Sequence, residues 1–121
     1  MAFKKYGNSK TKVYGYSLGS KLEAQVLLIL KAMEQAGEIH SITIQDSVYL
    51  TNARIQYVAD FKFINATTGL PEWAEAKGFE TPEWRIKRRL WMHYGPGTLH
   101  IYMGNWTKPF LKETIKVEKE D

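Results

Sequence analysis

A chain of 121 residues, 44% hydrophobic and 13% aromatic, has the length of one domain and enough apolar mass for a core. It has no cysteine, which excludes disulfides and thiolate metal sites, and no run of 18 apolar residues, which argues against a transmembrane helix. The formal net charge is +4, and residues 1–21 carry Lys4, Lys5, Lys10, Lys12 and Lys21 without a single acid, a distribution that points to a polyanion such as nucleic acid.

Residues 1–19 are polar, basic and rich in Gly and Ser, and they read as a flexible arm with a short strand near Val13–Tyr16. Ser20 then stands three residues before Glu23, the capping-box spacing. Leu22, Val26, Leu30 and Met33 recur at helical intervals, and Gly37 closes the helix. Ile39–Ile44 alternates as a strand does, with Val48–Leu50 as a continuation. Thr51–Ala53 is a turn, Ile55–Ile64 a second strand and Glu72–Lys77 a third, with the turn-like Asn65–Gly69 between the last two. Thr81 and Pro82 open a second helix that runs to about Tyr94 and stops at Gly95-Pro96-Gly97. Leu99–Met103 is a fourth strand. From about residue 107 the chain turns Lys/Glu-rich and reads as a charged, fraying tail that Phe110 and Leu111 can anchor. The whole is one α/β domain, a mixed sheet flanked by helices, in the order helix, three strands, helix, strand.

One group stands out within this order. On a strand, Glu75 and Lys77 share a face, with Ala74 and Ala76 on the other. The hairpin brings Asp60 beside Glu75. Two carboxylates and a lysine on neighbouring strands can hold a divalent metal and position a water. The bland alternative for Glu75 and Lys77 is an exposed ion pair. It weakens once Asp60 is counted, because an Asp inside an aromatic strand has poor β-propensity. For Glu23 the capping box is explanation enough, and a role as metal or water ligand stands beside it. The three histidines, His40, His93 and His100, show no zinc spacing. The first residues, Met1–Lys5, lack the apolar stretch of a secretion signal, so a cytoplasmic location is expected.

Glu23, Asp60 and Glu75-Ala76-Lys77, on those elements in that order, resemble the signature of the PD-(D/E)XK nuclease superfamily. Ser20–Glu23, Tyr57–Phe61, Glu75–Gly78 and Trp84–Arg89 resemble more closely the phage endonuclease I type of Holliday-junction-resolving enzyme, and also a family of small phage proteins with the same run of motifs. The likeness spans about residues 17–104. It departs at Ala59, where the motif has Pro, a residue that shapes the strand and does no chemistry. The resemblance implies a restriction-endonuclease-like core and a Mg²⁺-dependent DNA endonuclease, with Mn²⁺ able to substitute. It also implies a homodimer acting on branched DNA, in a host's cytoplasm if the source is a phage. Asp60, Glu75 and the carbonyl of Ala76 are then the metal ligands. Lys77 positions the water or stabilises the phosphate, and Glu23 completes the catalytic set.

Arg85, Lys87, Arg88 and Arg89 fall in the second helix. At 100° per residue Arg85, Arg88 and Arg89 share a face, and Ile86, Leu90 and His93 form the opposite, core-facing side. Lys4, Lys5, Lys10, Lys12, Arg85, Lys87 and Arg88 are the candidate phosphate contacts, and ordinary solvation is the alternative. The four tryptophans, Trp73, Trp84, Trp91 and Trp106, read as core or interface residues. A nicking or restriction-like nuclease on duplex or forked DNA, and a non-catalytic DNA-binding protein, remain the competing functions.

Overall fold

In the computed structural model, which describes residues 11–13, 16–18 and 20–118, the elements run β1 (Thr11–Val13), β2 (Tyr16–Leu18), α1 (Lys21–Gln35), β3 (Ile39–Tyr49), β4 (Gln56–Asn65), β5 (Pro71–Ala76), α2 (Pro82–Tyr94), β6 (Leu99–Asn105) and β7 (Lys108–Ile115). The fold is α/β. Strands β3 to β7 lie in sequence order in one mixed sheet. All its neighbours are antiparallel except β5 and β6. Between those two the chain passes through α2, the crossover that a parallel pair requires. β1 and β2 pair with each other, apart from the main sheet.

The helix ends form as their local chemistry dictates. Ser20 Oγ accepts the Glu23 N–H at 3.1 Å, and the Gly37 and Glu38 N–H groups return to the Glu34 and Met33 carbonyls. Gly37 can close this motif because its φ is +79°. Thr81 Oγ1 caps α2 by accepting the Trp84 N–H at 3.1 Å.

Two apolar clusters pack against the sheet. Val26, Leu27 and Leu30 of α1 meet Phe61, Phe63 and Ala74. Trp84 and Trp91 of α2 meet Tyr57, Trp73, Leu99 and Ile101. Adjacent residues Trp73 and Ala74 fall in different clusters, as do Ile101 and Tyr102, so the helices cover opposite faces.

Two expectations are corrected. The core face of α2 is Trp84 and Trp91; Ile86 is 60% exposed and His93 also faces solvent. The two tryptophans, a heptad apart, bury far more area than the alternative stripe and decide the helix's rotation. Trp106 is exposed, with Lys21 Nζ 5.1 Å from its ring centre. Residues 108–115 of the charged tail form a strand: β7 pairs with β6 along its length and ends on the buried Ile115. Its Lys/Glu pattern is the solvated side of an edge strand, where charge discourages pairing with another chain.

Arg88 ties α2 to β7. Its Nε and Nη2 donate to the two Glu113 oxygens at 2.7 and 2.5 Å. This hydrogen bond holds the Glu113 carboxyl below its ordinary pKa and raises that of Arg88. Glu113→Ala is expected to cost about 1 kcal/mol, the upper end for a part-exposed pair, because the geometry is bidentate. Urea unfolding checks this, and a double-mutant cycle with Arg88→Ala that returns no coupling would refute it.

Candidate active site

The β4–β5 hairpin builds the site. Asn65 Oδ1 accepts the Thr67 and Thr68 N–H groups, and Gly69 at φ +74° turns the chain back. The ladder then pairs Phe61–Ile64 with Pro71–Ala74 and stops. Beyond it carboxylates take over the backbone donors. Glu75 Oε1 accepts the Asp60 N–H at 3.3 Å, and Asp60 Oδ2 accepts the Ala76 N–H at 2.8 Å. The two acids therefore fill the gap where the strands part.

A change of face puts them there. Tyr57 and Ala59 pack with α2, whereas Phe61 and Phe63 pack with α1. Strict alternation would keep all four on one side, so β4 turns over at Asp60. On β3 the partners of Phe61 and Ala59 are Ile44 and Asp46, which leaves Gln45 opposite Asp60 with φ +56°. The turnover buries Ala59, Asp60 and Phe61 in succession.

Asp60 is 9% exposed and Glu75 7%. Burial pushes the Asp60 carboxyl well above its ordinary pKa, the charges of Glu75 and Glu23 add to this, and the Ala76 N–H and Lys77 oppose it. Burial likewise raises Glu75, to about 7, against the pull of Lys77, Tyr57 and the Asp60 N–H. Lys77 Nζ lies 3.9 Å from Glu75 Oε2 and 4.9 Å from the centre of the Trp84 ring. The Tyr57 hydroxyl, its pKa raised by burial and then by Glu75, sits close enough to favour the Glu75 carboxylate. It still falls short of hydrogen-bond geometry, and both it and Trp84 Nε1 are buried without a hydrogen-bond partner.

The structure brings together Asp60, Glu75, Ala76 and Lys77, and Glu23 of α1 acts electrostatically on both acids. Ala76 engages the site through its N–H. Lys87 lines a cavity beside Glu75 and Lys77, and its Nζ lies 3.4 Å from a Glu83 oxygen. Arg85 and Arg88 line a different cleft with Glu80 and Glu113. Arg85 pairs with Glu80 at 3.5 Å. Arg88 is engaged by Glu113 through both Nε and Nη2. Lys4, Lys5 and Lys10 lie outside the described residues, and Lys12 falls in β1.

Tyr57 was not marked as a site residue by its sequence. It reads as one more strand aromatic, and nothing local announces that β4 turns over three residues later. Trp84 reads as core, which it is, and it also lines the cavity beside Glu75 and Lys77.

Among the described residues no group of three or more Asp, Glu or His side chains is placed to hold a metal ion. Among the described residues no helix is long and apolar enough to cross a membrane. No curated protein matches the chain in sequence. One family model matches residues 3–107, a span that includes both helices and all of Asp60 to Lys77. The chain thus belongs to the DUF1064 family, whose description is a protein of unknown function.

Proposed function

We propose that this protein is a Mg²⁺-dependent DNA endonuclease with a restriction-endonuclease-like core, acting on branched DNA such as a four-way junction. The observation that carries the reading is the buried Asp60–Glu75 pair with Lys77 at its edge. Two carboxylates held together away from water repel each other and keep protons at a cost to the fold. Such a pair suits a hard divalent cation, which takes one or two carboxylates and leaves the remaining positions to water and phosphate.

Asp60 and Glu75 would hold the ion, and the carbonyl of Ala76 would complete the protein's share. A bound Mg²⁺, or Mn²⁺ in its place, supplies an activated water and neutralises phosphate charge. Lys77 orients that water and stabilises the charge that develops on the phosphate. Its Nζ lies 3.9 Å from a Glu75 oxygen, a position that favours this electrostatic role over that of a base. Glu23, already felt by both carboxylates, extends the acidic wall. Arg85, Lys87 and the basic segment with Lys4, Lys5, Lys10 and Lys12 supply phosphate contacts.

Incubation of a labelled four-way junction, a matched duplex and a single strand with Mg²⁺ or EDTA tests the reading. Cleavage of the junction with Mg²⁺ alone is expected. Cutting of duplex only makes the protein a nicking or restriction-like enzyme, and binding without cleavage makes it a non-catalytic DNA-binding protein.

Resolving a junction takes two cuts at symmetry-related points, and a chain with one site makes one. A two-fold homodimer supplies both, and the exposed Trp106, Phe110 and Leu111 offer apolar surface for it. Light scattering at micromolar concentration is expected to give twice the 14.0 kDa chain mass. A monomer mass, free and on junction DNA, would remove the paired-cut mechanism.

A further inference from the structure

We propose that the cavity between β4 and the start of α2 seats a DNA phosphodiester flanking the one that is cut. This rests on the nuclease reading above. The cavity holds about 270 Å³ and is bounded by Tyr57, Glu75, Lys77, Thr81, Trp84 and Lys87. Asp60 does not line it, whereas a cut phosphate must meet both carboxylates. Its occupant is therefore a neighbouring group on the same strand.

Four features select an anion. The Trp84 indole N–H and the Tyr57 hydroxyl are buried without hydrogen-bond partners, and such groups in a native fold call for a water, an ion or a ligand. The indole nitrogen can only donate. α2, 13 residues long, starts at the cavity's wall with Thr81 as its cap, and a helix N-terminus favours negative charge. Lys77 and Lys87 contribute two cations. Glu75 and Glu83 oppose them, at 3.9 and 3.4 Å from the respective lysines. A divalent cation on Glu75 would release Lys77, and the side chain of Glu83, 75% exposed, can swing into solvent and free Lys87.

Size selects a group of a chain rather than a free ligand. The volume, about 270 Å³, lies below the ~300–1,000 Å³ of sites that enclose whole drug-sized molecules. One phosphodiester with part of its sugar fits, and the strand continues outside.

The indole N–H signals of the ¹⁵N-labelled full-length protein report occupancy directly. Trp84→Phe assigns the Trp84 signal, and the exposed Trp106 serves as a control. The probes are the dinucleotide thymidylyl-thymidine and inorganic phosphate, each titrated with and without Mg²⁺. The dinucleotide is expected to move the Trp84 signal, more tightly with Mg²⁺, and to leave Trp106 in place. Lys87→Gln, at a half-buried position, is expected to weaken that titration about tenfold, the loss of a charged hydrogen bond. Tyr57→Phe removes one hydroxyl and is expected to weaken it as well. A Trp84 signal that stays fixed while junction DNA is still cleaved would overturn the cavity and leave the nuclease reading intact. A Trp84 signal that moves in a protein that cleaves no DNA would keep the phosphate seat and sink the nuclease reading. Inorganic phosphate binding as tightly as the dinucleotide would overturn the phosphodiester assignment.

Discussion

Asp60→Asn is expected to abolish Mg²⁺-dependent cleavage of a four-way junction while leaving DNA binding as tight as in the wild type, or tighter. Asn keeps an oxygen for the Ala76 N–H, so the local backbone stays supported. What it removes is one of the two anionic donors for the cation. If the ion supplies several kcal/mol of transition-state stabilisation, about 4 kcal/mol of loss is about a thousandfold in rate. One negative charge fewer near a phosphate, at ~4 Å in water, is worth about 1 kcal/mol of reduced repulsion. Affinity should therefore hold or rise severalfold as rate collapses. Glu75→Gln should behave alike. Lys77→Ala should lose rate yet keep its Mg²⁺ affinity, since its ammonium is no ligand. Cleavage by Asp60→Asn at the wild-type rate would show that the chemistry lies elsewhere.

The second large effect is on stability and needs no substrate. An acid whose folded pKa lies above its unfolded value holds its proton more tightly in the fold. Its contribution is fully present below the unfolded value and is lost as pH rises through the folded one. For Glu75 burial lifts the value from 4.5 to about 7, which sets the window. Losing it costs on the order of 3 kcal/mol, or on the order of 10 °C in melting temperature for a chain of this size. Asp60, raised by burial and by Glu75, adds in the same direction. In EDTA the protein should therefore melt markedly lower at about pH 8 than at about pH 5. Mg²⁺ at the higher pH should restore much of the difference, because a ligand of the folded state stabilises by mass action. Asp60→Asn should flatten both responses. Scanning calorimetry at the two pH values, with and without Mg²⁺, decides the matter. Equal melting temperatures in EDTA would mean that the carboxylates ionise freely, and the strained pair would not exist.

What the sequence determined by itself is what short-range chemistry determines. Ser20 with Gly37, and Thr81 with Pro82, fix their helix ends through bonds made within a few residues. The Asn65–Gly69 turn sets the length of the hairpin, and that length alone is enough to put Asp60 beside Glu75. Tertiary structure decided the rest. The rotation of α2 follows from which side chains find a matching surface, and Trp84 and Trp91 find Tyr57 and Trp73. β7 exists because β6 offers it an edge, and no pattern of its own apolar residues required that. Arg88 has a charge to place, and only the fold puts Glu113 within its reach, 25 residues along the chain. The turnover of β4 at Asp60 is a two-sheet-face compromise between the cores under α1 and α2. A residue's face on a strand is local only while alternation holds, and here packing on both sides broke it at Asp60, the residue that meets Glu75.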